Sequence, residues 1–245
     1  MHGGQAGRIW VRIGLRSVDG PVTVAHACAA AVADLGTDGA GVSVMVSPTA
    51  RETMHATDRI AGELEDHQLT FGQGPCVDAF AAGGPVLVGD LDLPPYFDRW
   101  PVFTPAARAS GARALFALPL QVGAIRLGVF DLYRITPGPL DRDQLADALA
   151  YAEAVATLLL DAAEGSAAQD AEQTSRRADP TANRAEVHHA TGMVLAQLDV
   201  GADEAFLRLR AYAYANDRRL IDVARDVVQR RLRFEPDPPV EDGGG

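Results

Sequence analysis

Apolar and polar positions follow two rhythms along this chain, and each change of rhythm marks an element. VTVAHACAAAVADLG (22–36) is apolar at most positions and stops at Gly36, which predicts a helix. GVSVMVS (41–47) alternates with a period of two and predicts a strand. RIAGELEDHQLTF (59–71) reads as a helix and GPVLVGDL (84–91) as a short strand. TPAARASG (104–111) reads as a helix with Thr104 as its N-cap and Pro105 at the first helical position. ARALFALPLQ (112–121) and IRLGVFDLYR (125–134) are two apolar strands joined by VGA, a natural hairpin. A long helix follows in GPLDRDQLADALAYAEAVATLLLDAAE. Strands interrupted by helices, with a hairpin among them, predict an α+β domain: an antiparallel sheet flanked by helices.

Within the long helix, Leu145, Leu149, Ala152, Ala156, Leu159 and Ala163 are spaced 4, 3, 4, 3, 4. That is a heptad seam, and it points either to a homodimer or to packing on the domain's own sheet. Three shorter helical patterns close the chain. The first runs from Asn183 to Leu198, with Val187, Ala190, Val194 and Leu198 on one face. The second starts after Gly201, carries Asp203 and Glu204 in its first turn, and buries Ala205, Phe206, Leu209 and Ala213. The third follows the turn NDRR and buries Leu220, Val223, Ala224, Val227 and Val228. Three short amphipathic helices enclose one small core, which predicts a C-terminal three-helix bundle.

Charge divides the chain in the same places. Its net charge is −11, and all 22 basic residues are arginine. Without lysine, neither a phosphate-loop lysine nor a Schiff-base lysine is available. Residues 21–163 form the mixed domain, 164–183 a polar, partly helical linker, and 184–234 the bundle. Residues 184–234 hold nine arginines against seven acids, the one net-positive block of an acidic chain. Residues 235–245, EPDPPVEDGGG, read as a disordered acidic tail. Residues 1–20 read as a poorly ordered extension or an added strand through IWVRIGL. That segment lacks the apolar core of a signal peptide, and no run approaches the ~18 apolar residues of a membrane span. The expected location is the cytoplasm.

The candidate chemistry is sparse. Cys28 and Cys76 make no disulfide framework. GQGPC places Cys76 near a helix start, where a thiolate is stabilised, so a thiol-dependent enzyme is one alternative. His188 and His189 are adjacent and diverge on a helix, while His26 and Cys28, two apart, diverge as well. Asp131 is a single acid on a strand. No metal, cofactor or catalytic residue is assigned. RWPVF (99–103), with Tyr96 and Phe97, reads as a loop that packs on the domain or rims a ligand pocket. Cys76, Tyr96, Phe97 and Trp100 are therefore the ligand candidates.

Two resemblances connect these patterns. ATGMVLAQLDV followed by EAFLRLRAYAYANDRRLIDVARDVV resembles the ANTAR domain, a helical RNA-binding module of bacterial transcription antiterminators, across residues 184–234. FGQGPCVDA, PVLVGDL, RWPVF and ALPLQVGAIRLGVFDLYR resemble the GAF domain that precedes ANTAR in many actinobacterial proteins. The resemblance implies binding of nascent RNA hairpins with paired loops, and antitermination in response to a small molecule or partner sensed by the GAF-like domain. It implies an RNA-binding surface of Arg184, Ala190, Thr191, Gly192, Arg210, Asn216, Arg218 and Arg219. Thr191 stands where the family carries a cation, and Gly201 where it carries a serine cap. A GAF-like domain that serves only as a dimerisation or docking scaffold is the other alternative.

Overall fold

Five antiparallel strands in the order β2-β1-β5-β4-β3 form the single sheet of the computed structural model, which describes residues 2–17, 20–45, 51–170, 181–216 and 218–235. They are β1 (Gly39–Met45), β2 (Arg51–Ala56), β3 (Val86–Val88), β4 (Ala114–Val122) and β5 (Ile125–Arg134). The expected hairpin is β4–β5, closed by Gly123 and Ala124 with Gly123 at φ 59°. Pro119 lies opposite Val129 of β5, beyond the stretch Leu115 to Ala117 that pairs with β3. The sheet belongs to the first of two units, Met1–Arg177, and the second is Ala178–Gly245.

β5 is buried on both faces, which explains why its sequence is nearly continuously apolar rather than alternating. Phe130 and Leu132 enter one core with Val42, Phe116 and Leu118. Helices α1 (His2–Gly14), α2 (Val24–Leu35) and α7 (Arg142–Asp170) cover that face. The opposite face carries α3 (Arg59–Phe71), α4 (Pro75–Ala82), α5 (Pro94–Arg99) and α6 (Phe103–Ser110). There Leu64, Leu91, Trp100, Phe103, Leu115 and Tyr133 form a second core.

Several expectations are corrected. Residues 1–20 are not an added strand or a loose extension: α1 places Ile9 and Ile13, four apart on one face, in the main core at 1% and 0% exposure. Thr104 is not a cap, since α6 begins two residues earlier than expected, at Phe103 with Val102 as its N-cap. Its buried hydroxyl donates instead to the Tyr96 carbonyl at 2.8 Å. Of the two readings of RWPVF, packing on the domain agrees with the structure: the stretch joins α5 to α6 and sends Trp100 and Phe103 into the core. The heptad seam is mostly consumed within the domain: Ala152, Ala156 and Leu159 are buried there and Leu145 packs against them. Leu149 and Ala163 remain exposed. The strand β2 and helix α4 fall in stretches, RETMHA and PCVDAFAA, too short or too mixed to show a period.

The second unit contains α8 (Thr181–Leu198), α9 (Ala202–Ala215) and α10 (Leu220–Val228). Among the described residues Ala190, Val194, Ala205, Phe206, Leu209, Ala213, Leu220, Val223, Ala224 and Val227 are buried, all on the expected stripes, while Val187, Leu198 and Val228 of those stripes are half-buried. Gly201 caps α9 in an extended conformation. The Phe234 N–H donates to Gln197 Oε1 at 2.8 Å and its ring meets Tyr212 edge-on, which ties the chain beyond α10 to the bundle. The central linker residues 171–180 and the tail beyond residue 235 lie outside the described residues; 164–170 continue α7 and 181–183 open α8.

Candidate functional site

The bundle carries the expected RNA-binding positions, and the structure gives most of them a local role. Thr191 sits inside α8, and its hydroxyl donates to the Val187 carbonyl one turn back at 2.8 Å. Gly192 is exposed, and a Cβ added there meets nothing within 4 Å, so it leaves a strip of bare helix backbone. Ala190 is a correction: it has no exposed surface and packs inside the bundle, so it cannot touch RNA. Arg184 lies on α8. The Arg210 guanidinium lies 5.9 Å from the Phe206 ring centroid. Asn216 ends α9 by donating its side-chain amide to the Tyr212 carbonyl at 2.8 Å.

The basic turn is largely neutralised from within. Arg218 meets Asp226 at 2.7 Å, and Arg231 meets the other oxygen of the same carboxylate at 2.7 Å. These two arginines hold the Asp226 carboxyl below its usual range. Arg219 pairs with Asp222 at 2.8 Å, and Arg225 bridges Glu186 and Asp222 at 3.2 and 3.4 Å. Arg230 and Arg233 are exposed and pair with no acid among the described residues. Arg230 and Arg233 thus leave positive charge at the end of the bundle, while the arginines of the turn are paired with acids.

In the sheet unit, a second constellation lies between the sheet and helices α3 and α4. Ser43 on β1, Arg51 on β2, Glu65 and Gln68 on α3, Cys76 on α4 and Asp131 on β5 converge there. Glu65, Gln68 and Asp131 are 1%, 1% and 5% exposed, and Ser43 and Cys76 are 0%. Ser43 donates a short hydrogen bond to Glu65 Oε2, and Arg51 donates to the Glu65 carbonyl. The other guanidinium nitrogen of Arg51 reaches Cys76 Sγ at 2.9 Å, and the Arg51–Glu65 charge pair spans 3.7 Å. Gln68 bridges, donating to Asp131 Oδ2 at 3.0 Å and accepting the Cys76 N–H at 2.8 Å. Burial and the neighbouring Glu65 hold the Asp131 carboxyl well above the usual range. Burial also pushes the Cys76 thiol well up, outweighing Arg51 beside it.

Two glycines make room for this group. A Cβ at Gly41 would stand 2.4 Å from Glu65 Oε1. Gly74, the N-cap of α4 at φ 131°, would place a Cβ 2.6 Å from Gln68 Oε1.

The four ligand candidates do not come together. Tyr96 stacks on Trp100 at 5.7 Å, Trp100 donates to Asp78 at 3.1 Å, and Phe97 carries the Arg108 guanidinium at 5.5 Å. Those contacts make the aromatics a brace between α4, α5 and α6. Cys76 belongs to a separate buried cluster with Met45, Ala79 and Phe80. Cys28 lies in the main core on the other side of the sheet, so the two thiols do not meet.

Sequence reasoning missed Ser43, Arg51, Glu65 and Gln68, and treated Asp131 as solitary. A signal was present. Ala61, Leu64, Glu65 and Gln68 share one helical face, so two polar residues occupy the stripe that faces the core. Asp131 likewise sits between Phe130 and Leu132 in a strand too apolar to have a wet face.

A family model of the GAF domain matches residues 21–159, and a model of the ANTAR domain matches residues 180–228. Among solved structures, the chain is similar to the GAF domain of a phosphoenolpyruvate-protein phosphotransferase from Coxiella burnetii, at 14% identity over 68% of this chain and 99% of that one, TM-score 0.49. It is similar to the corresponding GAF domain from Acinetobacter, at 9% identity over 66% and 95%, TM-score 0.48. It is also similar to free methionine-R-sulfoxide reductase from Neisseria meningitidis, at 18% identity over 61% and 84%, TM-score 0.43. At these values no ligand or chemistry passes from them to this chain. No curated relative matches it.

Proposed function

The chain belongs to the GAF domain family through residues 21–159, and from that premise we propose that it is a signal-responsive, RNA-binding regulator of transcription. The observation that carries the reading is the coincidence of the ANTAR match at 180–228 with a separate three-helix unit whose core stripes and outward arginines agree with it. The bundle binds nascent RNA hairpins with paired loops and so favours readthrough by the polymerase. Arg184, Arg210, Arg230 and Arg233 meet phosphates, and Gly192 lets the RNA backbone approach α8 closely. Thr191, Asn216, Arg218 and Arg219 shape and tune that surface from the bonds they already make.

The GAF-like domain senses a small molecule or a partner, and the protein works in the cytoplasm as a homodimer. None of the described helices is long and apolar enough to cross a membrane. Val11 and Leu15 of the α1 segment are 64% and 77% exposed, which supports a docking or dimerisation role for that side of the domain. We assign no catalytic step. A nucleophilic thiol must be reachable and ionised, and Cys76 is buried with its thiol pushed up.

The test is the affinity of the full chain for a two-loop RNA hairpin against a scrambled hairpin of equal length, read by fluorescence anisotropy. Preferential, salt-sensitive binding to the intact hairpin is expected. Equal weak binding to both defeats the RNA reading. Arg210→Ala is expected to weaken binding to the intact hairpin, and an unchanged affinity removes Arg210 from the site.

A further inference from the structure

We propose that Glu65, Cys76 and Asp131 form a site for a borderline divalent transition-metal cation of the Zn2+ or Fe2+ class. The proposal is independent of RNA binding and revises the expectation of no metal ligand in this chain. Each residue offers one ligand atom, a carboxylate oxygen, the thiolate sulfur and a second carboxylate oxygen, and these atoms lie within 4.8 Å of one another. Metal bonds of ~2.0–2.3 Å in a tetrahedral site imply ligand separations of about 3.3–3.8 Å, so the trio has at most about 1.5 Å to close.

Three features argue for a cation rather than a finished polar core. The first is an unfilled valence: Asp131 Oδ1 is fully enclosed, accepts no hydrogen bond from any described donor, and stands beside the Glu65 carboxyl. Buried carboxylate oxygens normally have partners, and two facing carboxyls lack a donor unless a proton or a cation lies between them. The second is the charge count. Glu65, Asp131 and Cys76 can each carry one negative charge, and Arg51 supplies the one fixed positive charge within the cluster. When a divalent cation displaces the protons of Asp131 and Cys76, the three ligand charges, Arg51 and the cation sum to neutrality, which burial demands.

The third is preparation of the ligands. Ser43 holds one Glu65 oxygen, Gln68 holds the second Asp131 oxygen and the Cys76 backbone, and Gly41 leaves the space in which the Glu65 carboxyl sits. Such supporting contacts fix metal ligands in place. The donor set selects the metal class. A thiolate disfavours Mg2+ and Ca2+, two carboxylates disfavour a purely soft ion, and the mixture suits Zn2+, Fe2+ or Co2+. The thioether of Met45, 3.9 Å from Cys76 Sγ, is a further soft atom beside the site. Because all three ligands are buried, the cation enters as the domain folds or opens, and its binding adds to the stability of the fold.

Co2+ is the probe, added to the reduced, chelator-free full chain refolded in its presence. One equivalent is expected to bind with a thiolate-to-cobalt charge-transfer band in the near ultraviolet, and Zn2+ is expected to displace it. Cys76→Ser is expected to abolish the band. Asp131→Asn retains the thiol and the shape of the side chain, and is expected to lower Co2+ affinity at least about tenfold with an unchanged circular dichroism spectrum. A chain that gives no charge-transfer band overturns the proposal. A band that survives Cys76→Ser overturns it too, since the sulfur would then be Cys28. Equal affinity in Asp131→Asn removes the carboxylate from the site. Replacement of both His188 and His189 by Gln is expected to leave the band unchanged, and its loss assigns the metal to the bundle instead.

Discussion

Asp226 pairs with two arginines, Arg218 and Arg231, and Asp226→Asn is expected to free them for RNA. The carboxylate accepts from Arg218 at 2.7 Å and from Arg231 at 2.7 and 2.8 Å, so both guanidinium groups are partly spent on it. An amide keeps the shape and one acceptor oxygen but removes the charge, and raises the net charge of residues 184–234 from +2 to +3. If both freed arginines reach phosphates, the slope of log affinity against log salt steepens by about 1.4 for a single-stranded target, at ~0.7 for each contact. Between 50 and 200 mM salt, a fourfold change, the variant's advantage over the native chain then shrinks by about sevenfold. Anisotropy titrations of the two-loop hairpin at four salt concentrations measure both slopes. Identical slopes and affinities would show that Arg218 and Arg231 do not face the RNA. The same carboxylate links the contact to pH. Its folded value lies below the ordinary one, so its contribution to stability is present above the ordinary value, ~3.9, and is lost as pH falls through the folded value.

Ile13→Ala is expected to cost about 2–5 kcal/mol, because Ile13 is fully buried in the main core; a melting temperature unchanged in the variant would mean that α1 is dispensable. Cys28 has its thiol pushed up to about 12 by burial, so labelling of the native chain at pH 8 is expected to proceed only through opening of the domain. Since that folded value is raised, the stability from Cys28 is fully present below the unfolded value, ~8.5, and is lost from there up to about pH 12. A Cys28→Ala chain with the same alkaline melting profile as the native chain refutes this.

The bundle was more legible than the sheet unit for a physical reason. In α9, Ala205, Phe206, Leu209 and Ala213 repeat at the helical period with polar residues between them, so one line of sequence states which side is buried. In β5 both faces are buried and the alternation vanishes, while β2 is a half-polar edge strand. Residues 1–20 misled because IWVRIGL suits a strand locally, whereas Ile9 and Ile13 gain more by reaching the core as neighbours on one helical face.

By itself the sequence determined the two-part division, the hairpin, the three C-terminal helices and the arginine-rich end, since each depends on periodicity or charge along neighbouring residues. Only the tertiary structure decided that Arg218 and Arg231 share Asp226, that Ala190 is core, and that Glu65, Cys76 and Asp131 meet. Those three residues are distant along the chain and come from a helix, another helix and a strand. Local patterning carries burial, but the pairing of buried charges depends on which elements the sheet brings face to face, and that is set by packing across the whole domain.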